Sequence, residues 1–243
     1  MLIILLYHRA FTSRYGNCPE ILRKHFQYLK SHHPITLPLE PLVSSKINIC
    51  ISFDDATFDF YHIVYPLLKE YDLKALLAVP ASYIAKNHLS TTEERLASIV
   101  EFSSKTAPPS LGFCSFKELK EMVDSSHVRI ASHGMTHTSL CQEDVDLKFE
   151  LNKSKEALEH ALQVPVDTFV FPYGKYNQQV LSEVKKIYKT AIRIGNGLNF
   201  SWKDPLLLRI NADQTPDLAT ILSFKRYPAL LFKKTLSLFS KFL

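Results

Sequence analysis

The chain has 243 residues, of which 46% are apolar and 22% charged, with only 6 glycines. This fits one globular domain with a sizeable core and excludes collagen-like, low-complexity and wholly disordered classes. The formal net charge of +5 lies entirely beyond Asp217, the last acidic residue, in Lys225, Arg226, Lys233, Lys234 and Lys241. The body of the chain is therefore neutral, which gives no support to a nucleic-acid-coating surface, and no RNP, zinc-finger or Walker motif is present.

Met1 to Leu6 is a short apolar run that ends at Tyr7-His8-Arg9. It is too short for a signal-peptide core and reads as a buried strand. Similar apolar runs predict strands at Leu2–Tyr7, Ile47–Phe53, Ala75–Val79, Val128–Ala131, Thr168–Phe171, Thr190–Ile194 and Leu206–Ile210. Helical periodicity falls between them, at Pro19–Ser31, Phe58–Tyr71, Phe116–Ser125, Asp144–Leu162 and Gln178–Tyr188. Pro19 suits a first helical turn, and Ser115 with Glu118 forms a capping box. A further helix at Thr92–Ser103 leads into a loop at Ser104–Phe113 containing Pro108 and Pro109, read as an insertion within one domain. This alternation predicts βα units around a parallel barrel of seven or eight strands, although an open sheet gives much the same pattern. Cys18, Cys50, Cys114 and Cys141 lie far apart without a C-x-x-C pair, against a zinc ribbon, a thioredoxin-like motif or a disulfide scaffold. No run is long enough to cross a bilayer.

Chemistry gathers at strand ends. Ile49-Cys50-Ile51-Ser52-Phe53 runs into Asp54-Asp55, placing two adjacent carboxylates at the edge where α/β barrels build active sites. Neighbours in a strand face opposite ways, so the two should have different roles. The alternative is a helix N-cap, for which Asp59 is the better candidate. A second strand ends in Ser132-His133-Gly134-Met135-Thr136-His137. Two imidazoles four residues apart can converge on one metal if the segment turns helically, and one Asp with two His leaves positions open for water and substrate. A third strand ends in Pro172-Tyr173-Gly174, a tight turn whose backbone N–H could face a developing oxyanion; its plain alternative is a βα connection.

In this order and spacing, Ser52-Phe53-Asp54-Asp55, His133-Gly134-Met135-Thr136-His137 and Pro172-Tyr173-Gly174 resemble the polysaccharide deacetylase family, carbohydrate esterase family four, over roughly residues 2–213. The resemblance implies a distorted (β/α) barrel and metal-dependent hydrolysis of an N-acetyl group from an amino sugar. On matching positions it implies Asp54 as general base and Asp55, His133 and His137 as ligands of a divalent metal, usually zinc, with cobalt or nickel as alternatives. It also implies the Tyr173 N–H as an oxyanion donor. Leu5-Leu6-Tyr7-His8-Arg9 is similar to the permuted branch that includes poly-N-acetylglucosamine deacetylases, in which the histidine after the first strand is the acid. His8 is then the candidate to protonate the leaving amine. With base and acid in opposite protonation states, a bell-shaped pH profile is expected. Two positions depart from the family pattern: Ala56 replaces the usual Gly after the aspartates, and Val170 replaces the Arg that orients the base. Arg209 is a candidate for that orienting role, or an ordinary surface or carboxylate-paired arginine.

Past the barrel (1–217), residues 218–243 read as a basic amphipathic helix. From Pro228, Leu231, Phe232, Leu236, Leu238, Phe239, Phe242 and Leu243 fall on one face and Lys233, Lys234, Ser237, Ser240 and Lys241 on the other. Such a helix can lie on an anionic membrane or pack against the barrel, and Leu230 on the polar side leans toward membrane or partner contact. The expectation is an N-deacetylase of a polysaccharide, oligosaccharide or lipid-linked glycan, in the cytoplasm or peripheral at the inner face of the membrane. The alternatives are a non-sugar amidohydrolase on the same fold and a catalytically silent module that binds glycan or membrane.

Overall fold

The structure is a computed structural model that describes residues 1–99 and 110–239. Its seven strands are β1 (Leu2–Tyr7), β2 (Asn48–Phe53), β3 (Ala75–Val79), β4 (Val128–Ser132), β5 (Thr168–Val170), β6 (Thr190–Ile194) and β7 (Leu207–Asn211). They pair in sequence order, all parallel, and β7 returns to β1, closing a barrel. Seven strands suffice, and the closed order decides against the open sheet. Each run is apolar on both faces because each strand has a lumen on one side and helices on the other.

The register follows from alternation. Leu2, Ile4, Cys50, Leu76, Ala78, Ala131, Val170, Ile192 and Leu207 form one buried cluster that includes no helical residue, so these side chains fill the lumen. Their neighbours, among them Ile3, Leu5, Ile51, Leu77 and Phe169, join the larger cluster with Leu22, Phe26, Leu119 and Leu158 of the surrounding helices. Side chains alternate with a period of two along a strand. Continuing the inward set upward therefore reaches His8 after β1, Asp54 after β2, His133 after β4 and Arg209 on β7.

The helices are α1 (Pro19–His32), α2 (Tyr65–Glu70), α3 (Thr92–Ala97), α4 (Phe116–Asp124), α5 (Ser154–Leu162), α6 (Gln178–Ile187), α7 (Leu218–Ile221) and α8 (Tyr227–Phe239). Pro19 opens α1, and the α4 capping box is complete, with Ser115 Oγ accepting from the Glu118 N–H and the Glu118 carboxylate from the Ser115 N–H. Two expected helices begin differently: α2 follows a π-helical turn at Phe60–Val64, and α5 follows one at Phe149–Lys153. Asp59 does not cap with its side chain, because its carboxylate accepts the Ala10 N–H at 2.6 Å. The helix expected at Thr92–Ser103 ends at Ala97, and residues 100–109, with most of the expected loop, lie outside the described residues. The four cysteines form no disulfide.

The start of the tail differs from the helical-wheel expectation. Leu230 is buried in the main core beside buried Tyr227, while Phe232 is 64% exposed. Leu230 therefore belongs to the docked side of α8 and carries no argument for membrane contact. Among the described residues no helix is long and apolar enough to cross a membrane. Leu230→Ala should lower the unfolding free energy by about 2 kcal/mol in urea denaturation, whereas Phe232→Ala should stay within about 0.5 kcal/mol.

Candidate active site

The strand ends converge on a cavity of about 340 Å³, lined in part by His8, Asp54, Asp55, His133, His137 and Tyr173. Six of the sequence candidates thus meet in one place, and the seventh, Arg209, lies directly beneath. Arg209 is fully buried and grips Asp54 with both arms of its guanidinium, Nη1 to Oδ1 at 2.6 Å and Nη2 to Oδ2 at 2.7 Å. Arg209 thus reaches Asp54 from β7, at the inward position that alternation assigns. Burial pushes the Asp54 carboxyl up, and Arg209, with His133 and His8, more than offsets this, so Asp54 stays ionised below the usual carboxylate range.

Asp55 faces another way. Its Oδ2 is 2.9 Å from Nη1 of Arg9, and its Oδ1 is 3.3 Å from Nε2 of His137 and 3.9 Å from Nε2 of His133. Burial alone would raise its carboxyl; Arg9 and His137 outweigh that and hold it far below the usual range. Asp55 and Ala56 both have left-handed backbone, φ 75° and 54°, so the chain leaves β2 through two strained residues. A glycine would adopt the second conformation freely, whereas alanine holds it under strain.

The two histidines converge by a route other than the expected helical turn. Gly134 has φ +81° and His137 φ 57°, and the segment between them is a loop. Glu150, on the π-helical turn before α5, holds that loop: it accepts the Met135 N–H at 2.7 Å, the Thr136 N–H at 3.1 Å and the Thr136 hydroxyl at 2.6 Å. The left-handed backbone favours glycine at 134, and a Cβ there would sit 2.7 Å from Glu150 Oε2 and push that carboxylate off the loop it holds.

Three donor atoms from Asp55, His133 and His137, all buried, lie within 4.8 Å of one another. His133 Nδ1–H donates to the Val170 carbonyl at 2.7 Å, leaving Nε2 as the lone-pair nitrogen toward the site. Burial pushes the His133 pKa down to about 4, so the ring is neutral at physiological pH. Two imidazole nitrogens with one carboxylate suit zinc, and three protein ligands leave room for water and substrate. These residues fit the metal.

His8 completes the rim. Its backbone N–H donates to Asp213 Oδ1 at 3.1 Å, its Nδ1 lies 2.6 Å from Asp213 Oδ2, and its Nε2 is 3.8 Å from Asp54 Oδ2. Burial pushes His8 down, but the Asp213 hydrogen bond and charge, with Asp54 and Asp55, prevail, and the pKa is raised above 6.5. Tyr173, at φ 58° in the Pro172–Gly174 turn, stands over His137 with ring centroids 4.8 Å apart.

Residues 43–192, more than half of the chain, match the family described as Polysaccharide deacetylase. The chain belongs to that family. It is 27% identical over 176 residues to the poly-β-1,6-N-acetyl-D-glucosamine N-deacetylase of Staphylococcus aureus strain MRSA252, covering 66% of this chain and 54% of that protein. The chain spans 54% to 60% of the length of the first curated relatives it matches. Among solved structures, IcaB from Ammonifex degensii superposes with a TM-score of 0.72 at 18% identity, covering 88% of this chain and 92% of that one. A de-N-acetylase from Aggregatibacter actinomycetemcomitans gives 0.72 at 18% identity, covering 92% and 99%. At these identities the superpositions speak for the fold.

Sequence reasoning gave no role to Arg9, Asp213 or Glu150 in this family member's site. Glu150 did leave a signal, since Glu150, Ser154, Leu158 and Leu162 recur every fourth residue and all are buried, a charge within an apolar stripe. Asp213 and Arg9 act between the ends of neighbouring strands that are remote in sequence, which no local pattern reveals. Glu150→Ala strands three donors, and should lower the unfolding free energy by about 3 kcal/mol and weaken zinc affinity at least tenfold, read by denaturation and by chelator competition.

Proposed function

We propose that this chain removes the N-acetyl group of an amino sugar within a glycan, using a divalent metal, zinc by preference, held by Asp55, His133 and His137. The observation that carries the reading is the ionised Asp54 beside that donor set, facing a His8 whose proton is held by Asp213. A metal-binding barrel without turnover has no use for a second buried carboxylate at that place. The Staphylococcus aureus relative's name supports the amino-sugar substrate.

A divalent cation in this site supplies a Lewis acid for the amide carbonyl and lowers the pKa of water. The remaining chemistry belongs to the chain. Asp54 takes a proton from the attacking water; both of its oxygens bond Arg209, yet each keeps a lone pair for that proton. Arg209 fixes the carboxylate plane and keeps it ionised. His8, protonated through its pairing with Asp213, gives its Nε2 proton to the departing nitrogen, because an amine leaves poorly unless protonated. The Tyr173 backbone N–H serves the carbonyl oxygen as charge develops there.

Asp54→Asn should retain its zinc by elemental analysis and lose acetate release on an N-acetylglucosamine oligomer by about 10³-fold. Wild-type protein that binds the oligomer without releasing acetate would instead be a glycan-binding module. The pH profile tests His8. With its pKa raised, wild-type kcat/KM should persist above pH 6.5 and fall as His8 loses its proton. Asp213→Asn removes the partner that favours the charged ring, so the descending limb should move to lower pH.

A further inference from the structure

One more charge reaches the cavity, on the loop between β1 and α1. Residues 10–17 leave the rim and return, with the Arg9 N–H donating to Tyr15 O at 3.0 Å and the Asn17 N–H to Arg9 O at 3.1 Å. Gln214 ties the loop from across the rim, its Nε2 donating to Ser13 O at 3.1 Å and its N–H to Gly16 O at 3.3 Å. Gly16 packs so closely that a Cβ would lie 2.5 Å from Phe11 O and 2.8 Å from Arg9 Cβ, so the return path is fixed. Arg14 sits between the anchored Ser13 and Tyr15. Its guanidinium lies 5.2 Å from the centre of the Tyr15 ring, and that ring is 5.7 Å from the ring of His8. Arg14 and Tyr15 line the same cavity as Asp54, Asp55 and His133.

The other arginines of the site are matched, Arg9 by Asp55 and Arg209 by Asp54. Arg14 pairs with no carboxylate among the described residues and is exposed, so its charge serves neither the core nor the metal-ligand set. A guanidinium presents a planar fork that fits a carboxylate or a phosphate. Tyr15 beside it and Tyr173, which lines the same cavity, are 41% and 52% exposed, aromatic surfaces that suit the apolar faces of sugar rings.

We propose that Arg14 binds an anionic group, a phosphate or a carboxylate, carried by the glycan beside the amino sugar that is deacetylated, so that the chain selects acidic over neutral glycans. This rests on the deacetylase reading, and the test separates the two. Three N-acetylglucosamine tetrasaccharides are compared: a neutral one, one with a phosphate monoester on a neighbouring residue, and one with a neighbouring uronic acid. Calorimetric titration of the zinc-loaded full chain carrying Asp54→Asn reads binding without turnover. At least one acidic oligomer should bind about tenfold more tightly than the neutral one, and the preferred acid names the anion. Adding Arg14→Gln should bring the acidic-to-neutral ratio close to one, and Arg14→Lys, a point charge without the fork, should keep part of it. Equal affinities for all three oligomers, or an acidic preference that survives Arg14→Gln, would overturn the proposal. Acetate release by the wild-type chain is measured on the same oligomers: its absence from all three overturns the deacetylase reading, while the calorimetric ratio still decides for or against Arg14.

Discussion

Two carboxylates on consecutive residues must both stay charged out of contact with bulk water, and the site is arranged around that demand. An isolated buried carboxylate would take up a proton, because removing its charge from water costs several kcal/mol. Each aspartate is given its own arginine: Arg209 of β7 for Asp54, and Arg9, just beyond β1, for Asp55. In the closed order β1 lies between β7 and β2. Curvature of the wall brings the inward side chain of β7 under that of β2, and the residue after β1 reaches Asp55 from the rim. The barrel is thus the device that lets neighbours in sequence act as independent charges.

The strain needed to spread the groups is local. Asp55, Ala56, His137 and Tyr173 all carry left-handed backbone at the cavity, as does Gly134. Such conformations persist only where the surroundings over-determine them. Here they do so through long-range contacts: Arg9 on Asp55, the Asp59 carboxylate on the Ala10 N–H, and Glu150 on three donors of the histidine loop. Both π-helical turns lie at this shell, one following Asp59 and one carrying Glu150. A wider helical turn sets a side chain forward of its ordinary register, and such turns gather at functional places.

These two kinds of order differ in how far a sequence discloses them. Strand ends were legible because a short continuous apolar run announces the wall, and whatever polar residue follows it stands on the rim; Asp54, Asp55, His133 and His8 were found in this way. Arg209 was legible only as a residue of the last strand, and the register of the closed barrel is what turns it inward. The histidine convergence was legible in its result and misread in its route, since spacing of four also describes a helical turn and only the conformation at Gly134 decides. Leu230 was misplaced because a helical wheel gives a face without saying which side the barrel takes. Arg9, Asp213 and Glu150 act through partners that are remote in sequence, the Asp213–His8 pair spanning 205 residues. A single sequence holds no trace of such pairing.

The last turn of the barrel links the two proton-handling groups. Arg209 and Asp213 are four residues apart at the end of β7, one a cation on Asp54 and the other an anion on His8. One short segment therefore pushes the proposed base and the proposed acid in opposite directions, keeping Asp54 without a proton and His8 with one. Their facing atoms are 3.8 Å apart, beyond hydrogen-bond reach, so a proton on His8 is not shared with Asp54. If the two met directly, the pair would titrate as a unit and the acid would neutralise the base. Gripping each from its far side, Arg209 below Asp54 and Asp213 behind the Nδ1 of His8, holds them apart while leaving both inner edges open to substrate. The opposite protonation states that the proposed amide hydrolysis requires are thus favoured by covalent spacing along a single strand end.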